Sequence, residues 1–223
     1  MNPPILPHIT LDIGTSATGA SPQHSIIWMH GLGADGEDFV PIAHEINLPV
    51  AVRYIFPHAP MRPVTINNGM VMRAWFDIIA FGGAPDMVGI QASQVAIEGL
   101  IAQEKQRGVA AKNIYLAGFS QGGAIALHTG LYHAEKLGGI IALSSRLVQT
   151  EKLPAATRAL NPPIFMAHGR SDPIIPFSMG SNSAAALTAG GYELEWHEYN
   201  MPHSVCAEEI ADIEKWLVRR LST

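Results

Sequence analysis

The chain has 223 residues, 48% of them hydrophobic and 15% charged, with a formal net charge of −5. This composition predicts a globular chain with a large interior, organised as a single domain over residues 1–223, and argues against disorder. No block of Lys or Arg occurs, so neither nucleic acid nor an anionic membrane surface is indicated as a partner.

In chain order, Ser25-Ile26-Ile27-Trp28-Met29 is the first continuous apolar run, stopped by Gly31, as expected of a strand buried on both faces. The first basic residue is Arg53, so the start of the chain lacks the charged opening of a secretory signal. Further strand-like runs cover residues 51–56, 113–117, 139–143 and 163–167, while 192–199 alternates as an edge strand with one wetter face does. Helical patterns cover 90–107, the residues after Ser120, and 204–221, where Ile210, Ile213, Trp216, Leu217 and Leu221 form one stripe. This alternation predicts an α/β fold with a mostly parallel sheet covered by helices on both faces. No apolar run reaches the length of a membrane span. Cys206 stands alone, which excludes an internal disulfide framework, fits a reducing, cytoplasmic setting, and reads as a tolerated thiol rather than a nucleophile.

Residues 57–89 break the rhythm. This long segment is rich in proline and glycine yet carries Met61, Met70, Met72, Trp75, Phe76, Ile78, Ile79 and Phe81, and long connections of this kind tend to be functional. Trp75 and Phe76 read best as side chains tucked onto the core, and the adaptable Met70 and Met72 as pocket lining. The exposed apolar residues of the segment are also a candidate contact for a second subunit, giving a homodimer.

Gly118-Phe119-Ser120-Gln121-Gly122 matches the G-x-S-x-G nucleophile elbow, with a buried strand before it and a helix after it. The serine must sit on a strained turn, and the flanking glycines leave room for neighbouring backbone. A base and an orienting acid are then required, in the order serine, acid, histidine. Of the five histidines after Ser120, His128 and His133 belong to the following helix, His197 lies inside a strand, and His168 falls too early. His203 remains, in the loop before the last helix, where open α/β sheets carry their sites. Asp172 occupies the corresponding loop one strand earlier, whereas Asp212 lies within the last helix. The oxyanion donors are expected at the backbone N–H groups of Gln121 and Leu32. Gly31-Leu32-Gly33-Ala34-Asp35-Gly36 also satisfies G-x-G-x-x-G. The acidic residue that a dinucleotide site needs about 20 residues further on is missing, because that strand runs into Pro57-His58. None of the ten histidines forms a recognised metal-ligand spacing, so no metal is expected.

With these residues placed, the chain resembles the carboxylesterase/acyl-protein thioesterase branch of the α/β-hydrolases, the phospholipase/carboxylesterase family. The resemblance is carried by His30-Gly31-Leu32-Gly33-Ala34-Asp35-Gly36, Pro57-His58-Ala59-Pro60, Arg62-Pro63-Val64-Thr65 and Ala74-Trp75-Phe76-Asp77. It continues through the elbow to Gly123-Ala124, Ala142-Leu143-Ser144, His168-Gly169, Asp172-Pro173, and Met201 with His203. It implies a sheet of about seven strands, a cofactor-free hydrolase, a triad of Ser120, Asp172 and His203, and an oxyanion hole at Leu32 and Gln121. Family substrates are short- to medium-chain esters, thioesters of acylated cysteine, and lysophospholipids. One departure stands out: after Ala-Leu-Ser, relatives carry an aromatic residue and then Leu-Pro, whereas this chain reads Ser145-Arg146-Leu147-Val148. The pocket rim is thereby altered in shape and polarity, and a long-chain preference does not carry over automatically.

The leading expectation is a serine carboxylesterase acting on short- to medium-chain esters through an acyl-enzyme on Ser120. Its rival within the hydrolases is an acyl-protein thioesterase or lysophospholipase, whose substrates are acylated proteins or lysophospholipids with longer chains. Met70, Met72, Trp75, Phe81 and Ile175 are the candidate substrate-binding residues. From another class, the alternative is a non-catalytic ligand-binding protein on a hydrolase fold.

Overall fold

The computed structural model describes residues 5–14, 21–80, 83–149, 153–157 and 160–221. Along them run β1 (His8–Ile13), β2 (His24–Met29), α1 (Val40–Glu45), β3 (Val52–Pro57), β4 (Met61–Val64), β5 (Met70–Arg73) and α2 (Met87–Gln106). There follow β6 (Ile114–Phe119), α3 (Gln121–Tyr132), β7 (Gly139–Leu143), β8 (Ile164–Gly169), α4 (Phe177–Ala189), β9 (Leu194–Tyr199) and α5 (Ala207–Leu221). Seven strands form one sheet in the order β1-β3-β2-β6-β7-β8-β9, and β4 and β5 make a separate hairpin. Within the large sheet β1 pairs antiparallel with β3, and the other neighbours are parallel.

The period-two geometry of the strands explains the continuous apolar runs. In β2, Ile27 and Met29 join Ile114 and Leu116 of β6 on one face, beneath Ile90 and Ile97 of α2, Ile125 of α3 and Leu187 of α4. Ile26 and Trp28 join Tyr54, Phe56 and Phe165 on the other face, covered by Ala43 of α1 and by Ile213, Trp216 and Leu217 of α5. Helices therefore flank both faces, and every central strand must be apolar along its whole length. This is the mostly parallel sheet, covered on both faces, that the alternation of apolar runs and helical patterns predicts.

Four elements fall outside that expectation, among them the short α1, which begins at Val40-Pro41. β1 is a half-exposed edge strand. α4 is built largely from Gly, Ser and Ala, which give little helical stripe but let it pack closely: a side chain at Gly180 would place its Cβ 2.4 Å from Nδ1 of His168. The fourth is the β4–β5 hairpin within 57–89. That segment is closed by Asp77, whose carboxylate accepts from the N–H and hydroxyl of Thr65 at 2.7 and 2.6 Å. A backbone bond from Ile66 to the Ile78 carbonyl at 2.8 Å adds to it. Asp86 then caps α2 through the N–H of Gly89 at 2.9 Å. β9 lies at the sheet edge as expected but starts at Leu194, since Tyr192 turns inward and donates to the Pro154 carbonyl at 2.5 Å. Among the described residues, no helix is long and apolar enough to cross a membrane.

Candidate active site

Ser120 occupies the turn between β6 and α3 with φ 54° and ψ −117°, a left-handed conformation that costs a non-glycine residue about 1–3 kcal/mol. The surroundings fix it there. Its N–H donates to the Leu143 carbonyl at 2.8 Å, and its carbonyl accepts from the N–H of Ala124 at 3.1 Å and from Oγ of Ser145 at 2.7 Å. The elbow glycines have a steric reason. A Cβ on Gly118 would lie 2.3 Å from the backbone of Gly122, and one on Gly122 would lie 2.3 Å from the carbonyl oxygen of Met29.

Asp172 lies in the loop after β8 and His203 in the loop after β9. His203 Nδ1 donates to Asp172 Oδ2 at 2.7 Å. That bond places a proton on Nδ1, so that the neutral form of the ring has its lone pair on Nε2. The carboxylate is itself oriented, because Oδ1 accepts from the N–H groups of Ile174 and Ile175 at 2.8 and 2.9 Å. His168 serves the same loop rather than the chemistry. Its buried ring donates through Nε2 to the Ile175 carbonyl at 2.8 Å and lies 3.3 Å from Asp172 Oδ2. Phe119 packs against the His203 ring, with centroids 4.7 Å apart.

The 30–36 loop after β2 is held just as firmly. His30 is 1% exposed, donates through Nδ1 to the Gly31 carbonyl at 2.6 Å, and accepts the Ala59 N–H on Nε2 at 3.1 Å. Only the neutral ring can do both. Burial pushes its pKa down to about 4, against the opposing pull of the Gly31 carbonyl and Asp35. Gly33 donates to the Arg73 carbonyl at 2.9 Å, and Gly36 donates to Nδ1 of His58 at 3.0 Å. Trp75 donates its indole N–H to the His30 carbonyl at 2.9 Å. The Gln121 side chain bridges to the same segment, accepting from the Trp75 N–H at 2.8 Å and donating to the Phe76 carbonyl at 2.7 Å.

Ser120, His203, Leu32 and Gln121 line one cavity of about 480 Å³, inside the ordinary range for ligand sites of about 300–1,000 Å³. Its apolar wall is Ile66, Phe76, Ile78, Ala124, Val148, Ile174, Ile175 and Met179; its polar groups include Asp38, Asn67, Ser145 and Arg146. Of the predicted substrate-binding residues, Ile175 is on this wall. Met70, Met72 and Trp75 are not, which corrects that expectation. Met70 is 63% exposed at the start of β5, beside Val71 at 59%, where the tip of the β4–β5 hairpin faces solvent. Met72 is half-buried and meets Nδ2 of Asn67 at 3.3 Å. Trp75 is fully buried under the 30–36 loop. Phe81 lies outside the described residues. Sequence reasoning overlooked Ile66, Val148 and Met179, and it left His30 and the Gln121 side chain without a role. For those two, the signal was their place within His30-Gly31-Leu32-Gly33 and the elbow itself.

An oriented acid, a histidine and a strained serine around one cavity are parts that acyl transfer uses. The chain matches the phospholipase/carboxylesterase family over residues 15–220. The acyl-protein thioesterase 1 of Gibberella zeae is 37% identical over 219 residues, spanning 91% of this chain and 93% of that protein. The acyl-protein thioesterase 1 of Neurospora crassa is 38% identical over 212 residues, spanning 88% and 86%. Arabidopsis thaliana SOBER1 has a similar crystal structure, with a TM-score of 0.81 at 31% identity, covering 89% of this chain and 99% of that one. Zea mays acyl-protein thioesterase 2 gives 0.79 at 25% identity over 96% and 99%. By sequence and by fold, the chain belongs to the phospholipase/carboxylesterase family of α/β-hydrolases.

Proposed function

We propose that this hydrolase cleaves acyl thioesters, in the manner the name of its relatives gives, with Ser120 as nucleophile, His203 as general base and acid, and Asp172 as orienting acid. The observation that carries the reading is the 2.7 Å bond from His203 Nδ1 to Asp172 beside the strained serine, within an apolar-walled cavity of about 480 Å³. Ser120 Oγ attacks the acyl carbon while its proton passes to His203 Nε2. The tetrahedral oxyanion accepts from the N–H groups of Leu32 and Gln121. Collapse expels the thiolate, which takes the proton from His203, and a water activated by the same nitrogen releases the acid from Ser120. The relatives named acyl-protein thioesterase favour this reading over a dedicated short-chain esterase. Oxyesters follow the same steps, with an alkoxide as leaving group.

Two measurements test it. A fluorophosphonate should add once, at Ser120, by intact mass and peptide mapping; an adduct elsewhere, or none, overturns the assignment of the nucleophile. A series of acyl thioesters of N-acetylcysteamine should show kcat/KM rising from acetyl to octanoyl. A maximum at acetyl restores the short-chain esterase reading.

A further inference from the structure

Six of the eight arginines among the described residues face a carboxylate: Arg53, Arg62, Arg107, Arg170, Arg219 and Arg220. A seventh, Arg73, donates to the Ala59 carbonyl at 3.0 Å. Arg146 differs from all of these. It is half-buried in the wall of the cavity that holds Ser120 and His203, and no carboxylate among the described residues lies within 4.0 Å of it. Among the described residues it makes one long hydrogen bond, from Nη1 to the neighbouring Leu147 carbonyl at 3.3 Å. A guanidinium has five N–H donors and stays charged in proteins, so burying one without a counter-ion is unfavourable. Burial also pushes the Arg146 pKa down.

The mount of this cation is rigid. Ser145, the residue before it, is tied through Oγ to the Ser120 carbonyl at 2.7 Å. Leu147, the residue after it, donates its N–H to Oγ of Ser183 at 3.0 Å, and Ser183 is anchored in turn on the Met179 carbonyl at 2.7 Å. Arg146 is thus fixed one residue from a group that touches the nucleophile's own backbone. The other charged group of the cavity, Asp38, arrives on the loop after β2, on the opposite side of β6 in the sheet.

We propose that Arg146 is a specificity residue that recognises an anionic oxygen group, a carboxylate or a phosphate, carried by the substrate. The substrate class is then an acyl thioester or ester with a negative charge either at the far end of the acyl chain or on the leaving group. This rests on the hydrolase reading above. An anionic substrate would bring Arg146 the counter-ion that none of the described residues supplies, so the charge discriminates against neutral acyl chains of the same length.

The test compares kcat/KM for three substrates: octanoyl-N-acetylcysteamine, its 7-carboxyheptanoyl counterpart, and octanoyl-coenzyme A. The second carries the anion on the acyl group and the third on the leaving group. Arg146→Leu should lower kcat/KM for one anionic substrate by about 10- to 100-fold more than for the neutral thioester, mainly through KM. Arg146→Lys should keep part of the preference, since it retains the charge without the planar fork. Equal effects of Arg146→Leu on all three substrates overturn the proposal. Binding by calorimetry to Ser120→Ala protein separates this outcome from a failure of the hydrolase reading. There, 7-carbamoylheptanoate should bind tighter than octanamide, or coenzyme A tighter than pantetheine, and the advantage should vanish when Arg146→Leu is added. No advantage in either pair overturns the proposal even if no thioester is turned over.

Discussion

His30 couples acid stability to the loop that carries the proposed oxyanion donor Leu32, and the size of that coupling follows from its pKa. An ordinary histidine titrates near 6.5, whereas burial holds His30 down to about 4. Between those values the unfolded chain binds a proton that the folded chain refuses. Stability contributed by the neutral ring is therefore complete above pH 6.5 and is lost progressively as pH falls toward 4, by roughly 3 kcal/mol in all. His30→Gln removes the titration while keeping an amide that can donate and accept. Urea denaturation at pH 7.0, 5.5 and 4.5 should find the variant less stable at pH 7.0, by about 1–3 kcal/mol, because the amide cannot match both the 2.6 Å and the 3.1 Å bonds. The gap should then close by roughly 2–3 kcal/mol on going to pH 4.5. At pH 7.0 the variant should also lose kcat, up to the factor of about 10²–10³ that a missing oxyanion donor costs. Two stability profiles running parallel from pH 7.0 to 4.5 would refute the reasoning, since they would mean that the ring is not held neutral.

Other outcomes follow from the same geometry. Asp172→Asn should reduce kcat by about 10⁴-fold with little change in urea midpoint, because an amide can favour the wrong His203 tautomer without altering the fold. Gly122→Ala forces a Cβ within 2.3 Å of the Met29 carbonyl oxygen, backbone that cannot yield, and should cost at least about 3 kcal/mol by urea denaturation. Glu209 sits in the first turn of α5, where the helix dipole favours a carboxylate. Burial wins, however, and pushes its pKa up to about 8. A raised folded pKa gives stability that is complete below about 4.5 and lost as pH climbs through 8, by up to roughly 4–5 kcal/mol. Glu209→Gln should therefore gain stability relative to the parent between pH 5 and pH 8.5, measured by thermal or urea unfolding, and a constant difference would count against a buried neutral carboxyl.

The parts of this protein that could be read from sequence are those where one local rule decides the structure. Ile26, Ile27 and Trp28 had to be apolar on both faces, which placed β2 in the middle of a covered sheet. Gly118 and Gly122 had to be small because backbone passes 2.3 Å from their missing Cβ atoms, which marked the elbow. His203 could be isolated because chain order left it as the histidine in a loop at the end of a late strand. The cavity wall was different in kind. Ile66, Ile78, Val148 and Met179 come from separate stretches and share a wall only through tertiary packing. No periodicity inside the 57–89 segment distinguishes Ile78, which faces the cavity, from Met70, which faces solvent. α4 was missed for a related reason: its small residues serve close packing on His168 and leave no apolar stripe to read.

The unusual length of the 57–89 segment has a physical explanation other than pocket lining. Ala59, His58, Arg73 and Trp75 each hydrogen-bond to the 30–36 loop, at 2.9–3.1 Å. The backbone N–H of Trp75 and the carbonyl of Phe76 grip the Gln121 side chain at 2.8 and 2.7 Å. One stretch of chain therefore fixes both residues proposed to supply oxyanion donors, although Leu32 and Gln121 stand 89 positions apart in sequence. Donors held in place before the charge develops contribute most to an acyl-transfer barrier, because nothing has to reorganise during reaction. A short turn after β3 could not reach the loop after β2, the elbow after β6 and the start of α2 together. Its length follows from spanning those three anchors, and its apolar residues divide accordingly: Trp75 inward under the loop, Phe76 and Ile78 to the cavity, Met70 and Val71 to solvent at the hairpin.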